Sequence, residues 1–185
     1  MRVEETILAG CYLLHDTFFG DERGYFFESF NRKTFNETTG LDINFVQDNQ
    51  SGSQRGVLRG LHFQHGEFAQ AKLVRVLNGT VLDVAVDLRK GSPTFGKHFS
   101  VELSGDSRTQ LFIPRGFAHG FMVLSERANF FYKCDNYYNK ASEGGIIYND
   151  PALAIDWKLP VEEIVLSDKD KVLPVLQEAM HTLNF

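Results

Sequence analysis

Residues 81–88 read Val-Leu-Asp-Val-Ala-Val-Asp-Leu, and this stretch predicts the fold more clearly than any other part of the chain. Successive side chains of a strand point to opposite faces, so an apolar set shares one face while Asp83 and Asp87 share the other. The apolar set is Leu82, Val84, Val86 and Leu88. This alternation indicates a β-strand with two chemically different faces.

Short stretches of the same kind, separated by turn residues, continue along the chain from Phe45 onward. Residues 99–103 (Phe-Ser-Val-Glu-Leu) alternate in the same way, and residues 111–113 (Leu-Phe-Ile) precede a turn that contains proline. No helix of the length that joins parallel strands intervenes. The sequence therefore predicts an all-β sandwich or barrel with its core at about residues 44–148.

The residues before this core predict an opening strand, a loop and a short helix. Residues 1–15 carry the apolar side chains of a strand, and residues 19–24 (Phe-Gly-Asp-Glu-Arg-Gly) are rich in turn formers. Residues 31–39 are predicted to form a helix that is capped by Asn31 and ended by Gly40.

The run of strand-like segments ends after Tyr148, where Asn-Asp-Pro at residues 149–151 marks a turn, and this predicts a separate tail at about residues 149–185. Trp157 is expected to anchor this tail on the body of the protein. Apolar residues recur every three or four positions near its end, which predicts a helix from about Leu173 to Leu183.

The composition fits one domain that spans residues 1–185. A hydrophobic content of 43% allows a substantial core, and the 17 phenylalanines favour β-structure. A net charge of −5 without a basic stripe argues against nucleic-acid binding. The chain has no apolar run long enough for a membrane span, no leader-like start, and no metal or redox spacing between Cys11 and Cys134. We expect a cytoplasmic protein that binds neither nucleic acid nor membrane.

Ionisable side chains interrupt the strand pattern at residues 59–72, which read Arg-Gly-Leu-His-Phe-Gln-His-Gly-Glu-Phe-Ala-Gln-Ala-Lys. Alternation turns His62 away from the two large apolar side chains beside it. A lone histidine is more often a packed or surface residue than a catalytic one. Here Arg59 and Lys72 add two positive charges near one titratable base, which favours a functional site.

Two motifs in this region resemble the paired motifs of the cupin superfamily, whose small β-barrels or jelly rolls hold ligands inside. The first runs from Gly56 to His62, and the second is Pro-Arg-Gly-Phe-Ala-His at residues 114–119. Metal-binding cupins carry His-x-His in the first motif, whereas Gln64 occupies the second position here and His65 is out of phase. We expect no metal and no other cofactor; a metal-dependent oxygenase is the alternative that a metal analysis would test.

Side chains alone suit one kind of chemistry, the removal of a proton from a carbon next to a carbonyl group. The neutral imidazole of His62 would take the proton and the Lys72 ammonium would stabilise the enolate oxygen. A tyrosine on the other face of the substrate would return a proton and invert the carbon.

Five longer motifs, in order, are similar to those of the dTDP-4-dehydrorhamnose 3,5-epimerase family, a family of cupins. They are Asp-Glu-Arg-Gly-Tyr-Phe-Phe-Glu-Ser at 21–29, Phe-Val-Gln-Asp-Asn at 45–49, Val-Leu-Arg-Gly-Leu-His-Phe-Gln at 57–64, Ile-Pro-Arg-Gly-Phe-Ala-His-Gly-Phe at 113–121 and Asn-Tyr-Tyr at 136–138. The resemblance implies a homodimeric cupin-type jelly roll that inverts C3 and C5 of a dTDP-4-dehydro-6-deoxy sugar without a cofactor.

The resemblance also implies roles for individual residues. The residues that match the catalytic machinery are His62 as base, Asp170 as the carboxylate that orients it, Tyr132 as proton donor and Lys72 beside the C4 oxygen. The residues that match substrate contacts are Arg23, Glu28, Gln47, Asn49, Arg59, His119, Tyr138, Glu143 and Lys169. Among these, Tyr138 matches the aromatic that stacks on the nucleotide, and the arginines suit a pyrophosphate.

Several interpretations stay open from the sequence. Tyr132 and Tyr138 both lie in one aromatic stretch, so either is a candidate for the acid, and Asp168 competes with Asp170 as the partner of the histidine. Arg23 and Glu28 also fit an ordinary surface pair. The motifs equally fit an epimerase that inverts a single carbon, or a sugar-nucleotide binding module without catalysis.

Overall fold

The computed structural model describes residues 1–181 and Leu183, and two antiparallel β-sheets form its centre. The strands are Arg2–Glu5 (β1), Tyr12–His15 (β2), Phe18–Asp21 (β3), Gly24–Phe27 (β4), Gln47–Gln54 (β5), Leu58–Gln64 (β6), Lys72–Asn78 (β7), Thr80–Asp87 (β8), His98–Ser104 (β9), Thr109–Ile113 (β10), Phe117–Val123 (β11), Arg127–Cys134 (β12) and Glu143–Gly145 (β13). The α-helices are Arg32–Thr39 (α1) and Leu176–Ala179 (α2), and short 3-10 helices lie at Gly66–Phe68, Lys140–Ser142, Val161–Glu163 and Asp170–Val172.

The two sheets are stacked as a jelly roll of the cupin type. One has the strand order β1-β2-β10-β7-β12-β5 and the other the order β13-β6-β11-β8-β9, while β3 and β4 form a separate hairpin. Apolar side chains from both sheets meet between them, including Val74 and Phe130 from the first sheet and Ala85 and Phe121 from the second. The predicted all-β class is confirmed.

Strand β8 is buried on both faces. Its apolar face, which includes Leu82 and Val84, packs outward beneath the tail, whereas Val81 and Ala85 point into the space between the sheets. The carboxylate face predicted from residues 81–88 is therefore also buried, and Asp83 has no exposed surface.

The tail covers the outer face of the five-stranded sheet. Trp157 is buried there and donates its ring N–H to the carbonyl oxygen of Tyr148 at 2.8 Å, as expected of an anchor. The buried carboxylate of Asp150 accepts a hydrogen bond from the backbone N–H of Leu176 at 2.5 Å. The described part of the tail therefore packs as a layer on the five-stranded sheet.

The predicted helix over residues 173–183 is wrong in length, because α2 spans Leu176–Ala179 only. Leu173 and Val175 have extended backbones, and the carbonyl of Pro174 accepts a hydrogen bond from Ile147 N–H at 2.9 Å. Pairing with the body of the protein thus replaces the first turn of the expected helix. Thr182, within the predicted range, lies outside the described residues.

The N-terminal region differs from the prediction in two places. Residues 1–15 form two antiparallel strands, because a turn closes where the hydroxyl of Thr6 donates to the carbonyl of Cys11 at 2.9 Å. The predicted loop at residues 19–24 is part of the hairpin of β3 and β4, with its turn stabilised by a hydrogen bond from Arg23 N–H to Asp21 at 2.9 Å.

Helix α1 confirms its prediction. The side chain of Asn31 accepts the N–H of Thr34 at 3.2 Å, and Gly40 ends the helix with a φ of 73° in the left-handed region. Its buried residue Phe35 packs with Phe112 on the outer face of the six-stranded sheet.

Candidate active site

A cavity of about 520 Å³ lies between the two sheets, and one side of it is formed by the tail. Its polar wall consists of Asn49, Gln50, Ser51, Arg59, His62, Lys72, His119, Tyr132, Ser167, Lys169 and Asp170. Apolar residues including Phe121 and Phe130 form the remaining wall, and these two rings stack at 4.1 Å between centroids. The structure thus gathers eight of the thirteen predicted site residues around one cavity.

A bulge in β6 brings Arg59 and His62 to the cavity together. His119 of β11 pairs with His62 and Phe121 pairs with Arg59, so two residues of β6 stand opposite one residue of β11. Strict alternation would place residues three positions apart on opposite faces. The bulge contains Gly60, whose φ is 123° and at which an added Cβ would lie 2.6 Å from the Cα of Gly120.

His62 is hydrogen-bonded to the carboxylate of Asp170, with 2.7 Å between Nε2 and Oδ1. Burial opposes ionisation of Asp170, but the hydrogen bond from His62 and further hydrogen bonds outweigh it and hold the pKa of Asp170 below its usual range. A carboxylate at this distance is an acceptor for a proton on Nε2, and a ring with its proton there carries its free lone pair on Nδ1. Asp168 is exposed and pairs with Lys171 at 2.9 Å, so the geometry selects Asp170 as the partner.

Tyr132 lies on β12, in the sheet opposite the one that carries His62. Burial raises the pKa of the Tyr132 phenol, so that it keeps its proton at neutral pH. The second candidate, Tyr138, is exposed and donates its hydroxyl to Glu143 at 3.1 Å. Only Tyr132 of the two is part of the described cavity wall.

Lys72 lies on β7 beside Tyr132, with its Nζ 5.8 Å from the centre of the ring. Burial lowers the pKa of Lys72, an effect that Cys134, Asp83 and Glu143 partly offset. Within residues 1–181 and Leu183, no carboxylate forms an ion pair with its amino group. The amino group is thus available to an oxygen atom inside the cavity.

His119 forms a second histidine–carboxylate pair in the same cavity. Its Nε2 lies 3.0 and 3.2 Å from the two carboxylate oxygens of Asp83. Asp83 was not predicted from the sequence as a site residue, although its alternating position on β8 directs it between the sheets.

Three predicted substrate contacts lie next to the cavity wall and form one hydrogen-bonded chain with it. Gln47 donates to Asn49 at 3.0 Å and accepts the N–H of Tyr138 at 3.2 Å. Glu143 links Tyr138 to Lys169, which it pairs with at 2.5 Å. Hydrogen bonds and one ion pair thus connect β5, Tyr138, β13 and the tail beside the cavity.

Arg23 and Glu28 do not lie at this cavity. Arg23 forms an ion pair with Asp21 at 2.5 Å on the exposed hairpin, and Glu28 accepts a hydrogen bond from Asn31 at 3.1 Å. These two contacts also show that Arg23 and Glu28 do not form the surface pair that the sequence allowed, while their prediction as substrate contacts stays a prediction.

Gln64, at the position of a metal ligand in other cupins, has a structural contact instead. Its side-chain amide bonds to both backbone groups of Asn139, each at 2.8 Å, and so ties β6 to the loop before β13. In the described part of the chain, no three His, Cys, Asp or Glu side chains are grouped as metal ligands.

Several members of the wall were not predicted from the sequence, namely Gln50, Ser51, Phe121, Phe130 and Ser167. Ser51 and Phe130 stand opposite each other on β5 and β12, each two residues from a predicted site residue. Strand alternation could have predicted these two wall residues, because Asn49 and Ser51 share one face of β5 and Phe130 and Tyr132 share one face of β12.

Comparison with known proteins gives the family. The family model described as dTDP-4-dehydrorhamnose 3,5-epimerase matches residues 5–178. The chain belongs to the dTDP-4-dehydrorhamnose 3,5-epimerase family. Membership of this epimerase family makes the chain an enzyme of the isomerase class.

Individual members of the epimerase family resemble the chain along nearly its whole length. The dTDP-4-dehydrorhamnose 3,5-epimerase of Salmonella typhimurium is 53% identical over 98% of this chain and 99% of its own. The crystal structure of the epimerase from Elizabethkingia anophelis is 56% identical with a TM-score of 0.93, covering 96% of this chain and 97% of its own.

A third relative was solved with a sugar nucleotide. The crystal structure of dTDP-6-deoxy-D-glucose-3,5-epimerase from Legionella pneumophila, in complex with dTDP-4-keto-L-rhamnose, is 51% identical and has a TM-score of 0.91. It covers 95% of this chain and 93% of its own. Among the described helices of the present chain, none has the length and apolar character needed to cross a membrane.

Proposed function

We propose that the chain converts dTDP-4-dehydro-6-deoxy-D-glucose to dTDP-4-dehydro-L-rhamnose by inverting C3 and C5, in the biosynthesis of dTDP-L-rhamnose. The observation that carries this proposal is the placement of His62 and Tyr132 on opposite sheets around one cavity, with Lys72 beside them. The complex of the Legionella relative with dTDP-4-keto-L-rhamnose supports the class of substrate.

The reaction begins with proton abstraction by His62. Asp170 holds the imidazole with its Nε2 proton directed to the carboxylate, so Nδ1 is the basic nitrogen and takes the proton from C3 or C5. Both carbons are next to the C4 ketone, and either abstraction therefore gives an enolate whose negative charge lies on O4. One base serves both centres.

Lys72 stabilises that enolate, and Tyr132 completes the inversion. Among the described residues no carboxylate pairs with Lys72, and a half-buried ammonium at this position would be well suited to charge that develops on O4. The Tyr132 phenol remains protonated because burial raises its pKa, and it returns a proton to the face opposite His62. His62 then gives its proton to solvent and the Tyr132 phenolate takes one from solvent, which resets both groups for the second carbon. Ketone and enolate supply all the chemistry, so the proposed reaction needs no cofactor.

The rest of the cavity is proposed to bind the nucleotide part. Arg59 and Lys169 supply positive charge for the pyrophosphate, and the exposed ring of Tyr138 is available to stack on the thymine base. Polar contacts are assigned to His119 and to the chain of hydrogen bonds formed by Gln47, Asn49 and Glu143.

We further propose that the active form is a homodimer in which Arg23 and Glu28 reach the cavity of the partner. Both residues match substrate contacts of the family, yet both lie away from the cavity of their own chain. They belong to or follow the hairpin of β3 and β4, on which the cross-strand pair Phe19 and Phe26 is exposed. Exposed aromatic side chains of this kind mark protein–protein contacts.

Mixing two inactive variants tests this dimer. Arg23→Ala and His62→Ala are each expected to be inactive alone. After random mixing about half of the dimers contain one chain of each variant, and one of the two sites in such a dimer has an intact His62 from one chain and an intact Arg23 from the other, which is about a quarter of all sites. We therefore expect about a quarter of the normal activity after subunit exchange. Absence of recovered activity, with mixed dimers demonstrated by mass spectrometry, would place Arg23 at its own chain's cavity and reject the exchange.

The reaction itself is tested by incubation with dTDP-4-dehydro-6-deoxy-D-glucose in heavy water. We expect deuterium at both C3 and C5, and a product with both centres inverted, by NMR. Exchange at one carbon alone would identify a single-centre epimerase, and binding without exchange would identify a binding module. Cytoplasmic location and the single domain of residues 1–185 are further parts of the proposal.

A further inference from the structure

Asp83 is a buried carboxylate whose position is not explained by packing. It lies on β8 between Leu82 and Val84 and is 0% exposed. Its neighbours on the same face, Val81 and Ala85, are members of the apolar core. Burying a carboxylate among such residues is costly unless a specific partner compensates, so an apolar residue would serve the core better.

The partner of Asp83 is His119. The two carboxylate oxygens lie 3.0 and 3.2 Å from Nε2 of the imidazole, and in the described part of the chain no other group hydrogen-bonds this carboxylate. The imidazole itself is 7% exposed and stacks on Phe130 at 5.9 Å between ring centres. The orientation of the ring is thus fixed from two sides.

His119 stands directly beside the proposed base. Its Cα is the register partner of His62 across β11 and β6, and opposite residues of an antiparallel pair project to the same side. Both side chains line the cavity, as does Lys72. A substrate whose C3 or C5 proton reaches His62 therefore has His119 next to it.

The hydrogen bond to Asp83 determines which nitrogen of His119 is available. Burial lowers the pKa of His119, and the charges of Lys72 and His62 act in the same direction against the opposing effect of Asp83, so the ring is neutral at neutral pH. A neutral imidazole bonded to a carboxylate carries its proton on the bonded nitrogen, here Nε2. Nδ1 is then an acceptor, and no described group donates a hydrogen bond to it.

We propose that Asp83 is a positioning residue that holds His119 as the Nε2–H tautomer, so that Nδ1 accepts a hydrogen bond from the C3 hydroxyl of the sugar. This inference rests on the proposed function, because it requires a 4-dehydro sugar in the cavity. Such a sugar presents an acceptor, O4, beside a donor, the C3 hydroxyl. Lys72 is a donor and neutral His119 an acceptor, so the two side chains complement that pair of groups.

The consequence is a requirement for a hydroxyl group next to the ketone. A site with a buried acceptor rejects an analogue that lacks the matching hydroxyl, because the acceptor is then left without a partner. The 3-deoxy analogue of the substrate still has an exchangeable proton at C5. Its C5 exchange therefore reports the loss of one hydrogen bond.

The first test needs no variant of Asp83. We expect ¹⁵N NMR of the imidazole nitrogens, with the signals of His119 assigned by their loss in His119→Gln, to show a protonated Nε2 and an unprotonated Nδ1 at pH 7. A protonated Nδ1, alone or in an imidazolium ion, would overturn the proposal. This outcome is independent of turnover, so it stands apart from failure of the proposed function, which would appear as no exchange with either substrate.

The second test combines Asp83→Asn with the 3-deoxy analogue. An asparagine can donate to Nε2 and so favours the other tautomer, which removes the acceptor from the cavity. We expect C5 exchange to fall about tenfold with the natural sugar, and the rate with the 3-deoxy analogue to change less than about threefold. An equal fall with both substrates would show a merely structural role and overturn the proposal.

Asp87→Asn is the matched control. Asp87 is also fully buried on β8, but its carboxylate bonds Arg89, Ser92 and Thr94 and not a cavity residue. We expect this variant to lower the melting temperature while leaving the His119 tautomer and the ratio of rates for the two substrates unchanged. A changed ratio in Asp87→Asn would show that general loosening of β8 produces the effect, which would also count against the proposal.

Discussion

His62 and Tyr132 divide the proposed proton transfer between the two sheets of the barrel. Neither residue is distinctive by itself, since histidine and tyrosine are both residue types of intermediate burial in ordinary proteins. What suits them to proton transfer is the Asp170 carboxylate bonded to His62 and the burial that raises the pKa of Tyr132 and keeps its phenol protonated.

Replacement of His62 by alanine is expected to lower turnover by roughly 10² to 10⁴-fold, the range for loss of a general base. Deuterium incorporation at both C3 and C5 should fall together, because one base serves both centres. His65→Ala is the matched control, since His65 lies three residues away and outside the described cavity wall. Unchanged exchange in His62→Ala, with the fold intact by circular dichroism, would reject His62 as the base.

Tyr132→Phe is expected to reduce net epimerisation more than deuterium exchange. Abstraction and return of the proton on the His62 face continue without the phenol, whereas inversion needs a donor on the opposite face. Tyr138→Phe should weaken binding at most, because that ring is exposed and its hydroxyl bonds Glu143. Both rates are measured by NMR in heavy water, and the reverse pattern between the two variants would make Tyr138 the acid.

The pH profile should report Lys72. Burial lowers its pKa from the ordinary 10.5, and the proposed role requires the charged form, which exists only below that pKa. We therefore expect kcat/KM to fall as the pH rises through a value below 10.5. The matched variant is Lys72→Arg, whose guanidinium stays charged at high pH. We expect it to have lower activity, and we expect its kcat/KM no longer to fall at high pH. If the fall of kcat/KM at high pH persists in this variant, another group causes it.

Among the secondary-structure elements, the bulge in β6 has the largest effect on the arrangement of the active-site residues. It turns Arg59 and His62 towards the same cavity, and it depends on the close approach of Gly60 to Gly120. A bulge of this kind has no signature in alternating hydrophobicity, which explains why alternation alone could not place Arg59.

Gly60→Ala is expected to destabilise the protein by about 2 kcal/mol or more, since its φ is 123° and the new Cβ would lie 2.7 Å from the carbonyl oxygen of His119. Urea denaturation measures the change. Gly91→Ala is the control, because no heavy atom lies within 4 Å of a Cβ built there. Equal stabilities for the two variants would show that the approach of the strands is not tight.

Local patterns predicted some elements well and others poorly. The strand at residues 81–88 and helix α1 were predictable because periodicity and caps are local signals. The hairpin of β3 and β4 was missed because Gly and Asp at its turn masked the strands beside it. The tail helix was predicted too long because contacts of Pro174 with Ile147, distant in sequence, override a local period.

The whole molecule consists of two sheets with the cavity between them and one further layer on the outer face of each sheet. Helix α1 covers the six-stranded sheet, the tail covers the five-stranded sheet, and each layer has its own buried cluster. The family resemblance identified eight of the eleven polar residues of the cavity wall, but it could not show that Arg23 and Glu28 lie elsewhere in a single chain. In the proposed homodimer these two residues reach the partner's cavity, and such a contact between chains leaves no local pattern in the sequence.

Because the layers share strands, we propose that residues 1–185 unfold as one domain. Strand β8 contributes to the core between the sheets and to the core beneath the tail, so neither can be lost alone. Calorimetry should show a single transition with agreement between calorimetric and van't Hoff enthalpies. Two resolved transitions would divide the tail from the barrel.

Asp170 lies 108 positions after His62 in the sequence, and it follows the last strand, β13. During synthesis, the ribosome therefore finishes all thirteen strands before it adds the carboxylate that orients the base. A premature stop codon anywhere between the last strand and codon 170 would leave a message that encodes the barrel without its catalytic partner. The position of one carboxylate in the reading frame thus couples the reaction to translation of the tail.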